Sequence, residues 1–237
     1  MDLQDLQARL KLQFHNPALL QQALTHRSYL NEQAEEGVQD NERLEFLGDA
    51  VLDFVITDVL YQHYPHMPEG ELTRLRAALV RTETLAQVAQ ELGLGDMLRM
   101  GKGEEISGGR VRRNILCDAF EALLGALYLD QGVLAAEHFA VPRLLPLVEY
   151  ILAEGLHIDA RSMFQEWSQA TRNLTPVYRV VSEIGPDHEK EFTVEVLVGE
   201  EIAGEGKGRS KQTAAQAAAR DALRQLEAQP PPSSESV

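Results

Sequence analysis

The sequence has little cysteine and no long apolar run. Its one cysteine in 237 residues, Cys117, excludes an intramolecular disulfide and any metal site built from several thiolates, and its apolar surroundings predict an inert core residue. No apolar run approaches the roughly 18 residues that a membrane span needs, and the N-terminus lacks the layout of a signal peptide. We therefore expect a cytoplasmic protein with no membrane partner.

Cations are also scarce, since 22 Lys and Arg stand against 37 Asp and Glu, which gives a net charge of -15. Taken alone, this charge argues against a nucleic-acid partner, because non-specific binding to nucleic acid is mainly the neutralisation of phosphates by cations. A sum over the whole molecule can hide a local basic cluster, so the distribution of charge must be examined along the chain.

The pattern of the chain changes near Gly155. Helical spacing of apolar residues predicts an all-α domain over residues 1–154. After a linker at 155–158, residues 159–228 show a helix, three alternating strands and a second helix, which predict a small α+β module with an antiparallel sheet. The proline-rich end, residues 229–237, has little to bury and is predicted to be disordered.

A glycine-rich, charged stretch lies at residues 101–109 of the all-α domain. Its composition predicts an exposed, adaptable loop. It lacks the Lys-Ser/Thr ending of a P-loop and no strand precedes it, so we exclude a phosphate-cradling loop.

Two predicted helices carry carboxylates inside a largely apolar pattern. On the helix that follows Asn41, Glu45 and Asp49 share one face, and further along the chain Asp118 and Glu121 share a face of the other. Ionised carboxylates in apolar surroundings are costly unless a cation compensates them, and no Lys or Arg lies on these faces. If the two helices pack side by side, the four carboxylates converge. With no His or Cys among them, they predict an all-oxygen site for Mg²⁺, with Mn²⁺ as a substitute.

Any one of these acids has a simpler explanation as a solvated surface residue, and we prefer that interpretation for Asp53 and Asp58. Four acids within two apolar helices are harder to explain in this way, because acids are rarely buried without partners. A divalent cation held by carboxylates is typical of phosphodiester hydrolysis and phosphoryl transfer. The set therefore predicts that chemistry.

The same segments resemble a known family. NERLEFLGDAVL, residues 41–52, resembles the signature of the ribonuclease III family, and ILCDAFEALLGALYLD, residues 115–130, resembles its second acidic helix. LTHRSY at residues 24–29 and EGELTRLRAALV at residues 69–80 are similar to other parts of its nuclease domain. The resemblance covers nearly the whole chain, with the two domains in the bacterial order.

The resemblance implies Glu45, Asp118 and Glu121 as metal ligands, with Glu121 shared between the metal and the chemistry. Asp49 would orient the attacking water or a ligand. Two further acids match positions that line the catalytic valley or the dimer interface: Glu42 and Glu69. The resemblance also implies a homodimer in which each subunit cuts one strand of double-stranded RNA, leaving a short 3′ overhang with 5′-phosphate and 3′-hydroxyl ends. Ribosomal RNA precursors and some messages are the typical substrates.

The C-terminal module contains the basic cluster that the net charge hides. Lys207, Arg209 and Lys211 lie where its last helix is predicted to begin. Cations oppose the positive end of a helix dipole, so their presence there makes most sense if a phosphate binds to them and to the helix N-terminus. A solvated first turn is the simpler alternative.

This module resembles a double-stranded-RNA-binding domain. By the resemblance, Gln165 and Glu166 face one minor groove, His188 lies in a turn that faces the next, and Lys211 binds the phosphates between them. Gln212 stands where the family usually has a second basic residue, which leaves more of the phosphate contact to the neighbouring cations.

Three functions remain open at this point. The first is a Mg²⁺-dependent endoribonuclease of double-stranded RNA that processes ribosomal RNA precursors and some messages. The second is a non-catalytic RNA-binding protein whose α-domain only dimerises, although binding alone requires none of the four carboxylates. The third is an unrelated metal-dependent phosphohydrolase that acts on small molecules.

Overall fold

The chain is divided into two compact units, residues 1–157 and residues 158–237. The structure, a computed structural model, describes residues 3–33, 37–153, 159–186 and 190–228. Within these ranges no helix is long and apolar enough to cross a membrane. The predicted linker at 155–158 and the predicted tail at 229–237 lie outside the described residues, so the exact domain boundaries stay predictions.

The first unit is helical, as predicted. In chain order its helices are α1 Leu3–Leu10, α2 Pro17–Ala23, α3 Arg27–Glu32, α4 Glu42–His63, α5 Glu69–Val80, α6 Thr82–Glu91, α7 Leu94–Met97, α8 Lys102–Ile106, a 3-10 helix at Gly109–Val111, α9 Arg113–Gln131, α10 Val133–Leu144 and α11 Leu147–Ala153.

Helix α9 is the centre of the first unit. It packs against α2, α4, α6 and α10, and its residues from Ile115 to Leu127 are buried with the exception of the half-buried Asp118. A helix that is apolar on nearly all sides is stable in water only when other elements surround it. The largest of these contacts is with α4, the other helix in which the sequence places acids.

Residues 101–109 are mostly exposed, as predicted, but they are not a loop, because α8 forms within them. The Glu32 carboxylate, 70 residues earlier, accepts hydrogen bonds from the backbone amides of Lys102 (2.8 Å) and Gly103 (3.0 Å). These bonds satisfy amides of the first turn, which lack partners within the helix. The prediction of a loop was wrong because it used local composition only, whereas Glu32 of the distant helix α3 caps α8.

The second unit confirms the predicted α+β module. Its elements are α12 Ala160–Arg172, β1 Val177–Ile184, β2 Glu191–Val198, β3 Glu201–Gly208 and α13 Lys211–Ala228. The strands form an antiparallel sheet in the order β1-β2-β3. Helix α13 packs against β2 and β3, and α12 packs against α13. The alanines of α13 fit against glycines of β3, because a Cβ on Gly204 would lie 2.6 Å from the Ala218 carbonyl oxygen.

Candidate functional site

Helices α4 and α9 cross at a pair of glycines. A Cβ on Gly48 would overlap the backbone carbonyl of Glu121, and a Cβ on Gly125 would overlap the backbone carbonyl of Leu44. The two backbones therefore touch, which only glycine permits. The sequence-based prediction of the site included the acids but not these glycines. The available signal was their position inside apolar helices, where a glycine costs about 1 kcal/mol relative to alanine and usually has a packing reason.

The crossing brings the four predicted carboxylates within electrostatic reach of one another. Glu45 and Asp49 come from α4, and Asp118 and Glu121 come from α9. Glu121 is buried, with 9% of its surface exposed, whereas Glu45 and Asp118 are half-buried and Asp49 is exposed. Glu121 thus lies at the buried end of the cluster, and Asp49 lies at its solvent-exposed side.

Burial and repulsion from neighbouring carboxylates raise the pKa values of Glu45, Asp118 and Glu121. For Glu121, burial and then repulsion from Asp49, Asp118 and Glu45 raise the pKa to about 8. Burial followed by repulsion from Asp118 raises the pKa of Glu45, and burial is the main cause of the raised pKa of Asp118. Among the described residues, none of the four forms an ion pair with a lysine or arginine. Such a cluster favours the binding of a cation.

The thiol of Cys117 lies beside this cluster, where no Cys or His was expected. Its Sγ donates a hydrogen bond to Oε1 of Glu121 over 3.7 Å, and one ligand atom each from Cys117, Asp118 and Glu121 lie within 4.8 Å of one another. Burial and the two acids raise the pKa of Cys117, so the sulfur stays a protonated thiol and a poor metal ligand. The donors that remain are carboxylate oxygens, which fit a hard divalent cation.

Two other predicted acids, Glu42 and Glu69, are exposed, and after burial the charge of Glu42 contributes to the raised pKa of Glu45 and of Asp118. Glu42 is exposed at the start of α4 and pairs with Arg27, with 3.2 Å between Oε1 and Nη1. Glu69 is exposed at the start of α5, where it accepts a hydrogen bond from Oγ1 of Thr73 at 3.0 Å. Of the pair assigned to the surface, Asp53 is only partly exposed and lies 3.8 Å from Nε of Arg76.

The predicted RNA-binding side chains of the second unit are exposed where the structure describes them. Gln165 and Glu166 lie next to each other on the solvent side of α12. Lys211 is the first residue of α13, with its Nζ 5.8 Å from the ring centroid of Phe192. His188 lies outside the described residues.

The sequence predicted the whole basic cluster at the start of the last helix, but only part of the cluster lies there. Lys207 belongs to β3, where it pairs with Thr193 of β2 and its Nζ lies 3.8 Å from Oε1 of Glu191. Arg209 is exposed between β3 and α13. The helix begins only after Ser210, so the strand places Lys207 and leaves Lys211 in the first turn.

Comparison with known proteins identifies both units. Residues 16–148 match the Ribonuclease-III-like family and residues 160–226 match the double-stranded RNA binding motif. The chain belongs to the ribonuclease III family. Ribonuclease 3 of Desulforamulus reducens is 48% identical over 222 residues, which cover 94% of this chain and 90% of that protein. Ribonuclease 3 of Roseiflexus sp. is 50% identical over 229 residues, which cover 94% of this chain and 95% of that protein.

Among solved structures, the nuclease domain of ribonuclease III from Campylobacter jejuni is similar to this chain, with 39% sequence identity and a TM-score of 0.56. The match covers 61% of this chain and 97% of that domain, which is described as flexible in a region involved in dimer formation. Family membership makes this chain a ribonuclease III-type endoribonuclease with a double-stranded-RNA-binding domain. It also implies the use of a divalent metal.

The glycine crossing gives a testable prediction for this ribonuclease III chain. In Gly125→Ala, the new methyl group meets the Leu44 carbonyl and must push α4 away from α9, which we expect to cost about 1–3 kcal/mol or more. The midpoint of urea unfolding falls, and RNA cleavage falls with it because the acids of the two helices separate. In the control Gly70→Ala, the Cβ would meet only the end of the Arg74 side chain at 3.7 Å, so stability stays equal or rises by up to about 1 kcal/mol. Equal stability of the two variants would refute the close crossing.

Proposed function

We propose that this endoribonuclease hydrolyses phosphodiester bonds of double-stranded RNA in a Mg²⁺-dependent reaction, with Mn²⁺ as a substitute, and leaves 5′-phosphate and 3′-hydroxyl ends. The observation that supports this proposal is the group of four carboxylates, without a cationic partner among the described residues, where α4 and α9 cross. Their uncompensated charge favours a divalent cation, and the cation in turn attracts a phosphodiester that the acids alone would repel.

The four carboxylates divide into ligands and a supporting acid. We assign Glu45, Asp118 and Glu121 as the ligands, because their carboxyl groups are buried or half-buried and have raised pKa values. The bound cation supplies polarisation of the phosphoryl oxygen and a lower pKa for a bound water. Asp49 is at the solvent-exposed side of the cluster, where its carboxylate accepts a hydrogen bond from the attacking water and orients it.

Glu121 has its orientation fixed by its neighbours. The Cys117 thiol donates a hydrogen bond to Oε1, and the carboxylate keeps further lone pairs for a metal. The Glu121 backbone carbonyl lies against Gly48, which holds this residue at a fixed distance from α4. These contacts support the role of Glu121 in both metal binding and chemistry. Glu42 and Glu69 are exposed and fit supporting positions at the edge of the substrate valley.

An exposed apolar surface, which we call the dimer face, supports a homodimer. Its most exposed members are Phe46 at 81%, Leu134 at 64%, Phe54 at 62% and Leu129 at 54%. A cavity of about 840 Å³ that includes Phe54 and Leu129 in its lining lies on this face. Contiguous exposed apolar surface usually marks an interface, and the similar Campylobacter jejuni domain forms a dimer. We infer that a second copy of this chain covers the face.

The dimer face also borders the carboxylates. Phe46 follows Glu45 directly on α4, so the two side chains are about 100° apart around the helix. A two-fold related copy that packs on Phe46 therefore brings a second set of carboxylates towards the first. Each subunit then cuts one strand of the duplex, and the offset between the two cuts leaves a short 3′ overhang.

The second unit is proposed to hold the duplex. Gln165 and Glu166 contact one minor groove, His188 contacts the next, and Lys211 binds the phosphates between them. Arg209 adds a second exposed cation beside Lys211, which offsets the neutral Gln212. Lys207 contributes less, because Glu191 is close to its ammonium group.

Domain boundaries, location and natural substrates complete the proposal. We retain a nuclease domain at residues 1–154, a linker at 155–158, an RNA-binding domain at 159–228 and a tail at 229–237, and we place the protein in the cytoplasm. Family membership supports the processing of ribosomal RNA precursors and some messages as the role.

The catalytic assignment is tested with Glu121→Gln. This change keeps the shape of the side chain but removes its charge, so we expect cleavage of a perfect RNA hairpin to slow by about 10²-fold or more. Binding of Mn²⁺, followed by electron paramagnetic resonance, should weaken in parallel, and EDTA should stop wild-type cleavage until Mg²⁺ is restored. The control Asp58→Asn removes an exposed acid of α4 and should cleave at the wild-type rate. A folded Glu121→Gln protein with wild-type cleavage would contradict the assignment.

The phosphate contact is tested with Lys211→Ala in metal-free binding to a duplex RNA. We expect weaker binding, and the slope of log affinity against log salt should decrease by about 1, because one fewer counterion is released. The control Arg224→Gln removes another exposed cation of α13, which lies about 140° away around the helix. If both variants lose the same affinity, net charge rather than a specific Lys211 contact explains the effect.

The dimer face is tested with Phe54→Asp. A buried aspartate at the interface costs several kcal/mol, so sedimentation velocity should show a monomer where the wild type is a dimer. The control Ile106→Asp changes the most exposed large apolar residue described in this chain, at 86%, in α8 outside the dimer face, and it should remain dimeric. A Phe54→Asp protein that is still dimeric would mean that another surface forms the dimer.

A further inference from the structure

The first unit contains a polar pocket away from the proposed active site, and none of the four carboxylates lines it. It has a volume of about 360 Å³ and lies between the segment after α1, the end of α9 and the helix α10. Three of its lining residues carry basic side chains: Lys11, His138 and Arg143. In a chain with a net charge of -15, a pocket where basic groups from two separate segments meet needs an explanation.

These basic groups have no acidic partner in the part of the chain that the structure describes. None of the three takes part in an ion pair there. Asp130 lies next to the lining residue Gln131, but its side chain is only 2% exposed. Its two oxygens already accept hydrogen bonds from the backbone amides of His15 and Asn16, both at 2.8 Å. The positive charge of the pocket is therefore not neutralised from within.

Arg143 is the most buried of the three basic groups. Its guanidinium lies over the Phe139 ring, 4.1 Å from the centroid, and Nη1 donates to the Phe139 carbonyl oxygen. Burial lowers the pKa of Arg143, which means that its charge has lost part of its hydration. A guanidinium in this state has donors left for an anion, and its planar fork fits two oxygens of a phosphate or carboxylate.

The wall that carries Lys11 is held in place by hydrogen bonds. Nε2 of Gln131 donates to the Gln13 carbonyl oxygen at 2.6 Å, which ties the segment after α1 to the end of α9. Lys11 has a left-handed backbone with φ of +55°, and the amides of Lys11 and Leu12 bond back to the last turn of α1. Helices often end in this way with glycine at the left-handed position. A lysine there accepts backbone strain, which indicates a use for its side chain.

We propose that this pocket binds a phosphomonoester group, either of a free nucleotide or of a 5′-phosphorylated RNA end. The phosphomonoester is close to a dianion at neutral pH, so it matches a site with a guanidinium, an ammonium group and a histidine better than a monoanion does. The pocket volume of about 360 Å³ is at the lower end of the range of about 300–1,000 Å³ for small-molecule pockets. Leu12 and Leu127 add apolar surface to the lining, against which a sugar or base can pack.

The test uses the full-length protein without metal at constant ionic strength, and it reads the backbone amide shifts of Leu12, Gln13 and Gln131 by nuclear magnetic resonance. These residues line the pocket, so their amide shifts report binding there. Adenosine 5′-monophosphate and inorganic phosphate are titrated first. We expect saturable shifts, with an affinity about tenfold lower in Arg143→Gln and in Lys11→Gly, since each change removes one charged hydrogen bond. The control Arg224→Gln loses one charge outside the pocket and should bind as the wild type does.

Lys11→Gly keeps the test independent of folding, because glycine is the preferred residue at a left-handed helix end. Its urea midpoint should equal or exceed that of the wild type. Duplexes with a 5′-phosphate or a 5′-hydroxyl then identify the source of the group. Shifts with the phosphorylated duplex alone indicate an RNA end, and shifts with the nucleotide alone indicate a free nucleotide. No saturable shift with any phosphomonoester, equal binding by the pocket variants, or shifts that ignore the 5′-phosphate would overturn the proposal.

Discussion

The contact between the backbones of α4 and α9 at Gly48 and Gly125 is the constraint on which the proposed active site depends. Each glycine faces a backbone carbonyl of the other helix, so the helix axes are closer than side chains would allow. This closeness brings acids from two distant segments within electrostatic reach, and it also buries Glu121. Glu121 thus has its backbone carbonyl in the helix contact and its carboxylate in the proposed site. A change in the packing of the two helices therefore also moves this carboxylate.

The close contact creates an electrostatic cost that the fold alone does not relieve. Burial and repulsion raise the pKa values of Glu45, Asp118 and Glu121, so the folded first unit is less stable when all of them are ionised. The apolar core around α9 offsets this cost. A divalent cation relieves it directly, and because it binds the folded state only, it also stabilises that state. Metal binding and the geometry of the crossing are therefore coupled.

Periodicity in the sequence was enough to find the acidic helices and the α+β module, because these depend on contacts between near neighbours in the chain. Periodicity did not predict the features that depend on residues distant in the chain. Glu32 caps α8 from 70 residues earlier, and the role of Gly125 depends on Leu44, which lies 81 residues earlier by residue number. Lys207 was placed at a helix terminus although strand pairing with β2 extends β3 through it.

The distribution of charge explains how so acidic a chain can bind polyanions. Charges further apart than a Debye length of about 8 Å at physiological ionic strength are largely screened, so the net charge of -15 weakens long-range attraction of RNA but does not decide contact. Contact with an anion depends on the charged groups nearby. Burial strengthens the interaction of such a group with an anion, because a partly desolvated charge is screened less. Lys211 and Arg209 are exposed and suit a duplex that slides and exchanges, whereas the half-buried Arg143 in a pocket suits a single small group held in one orientation.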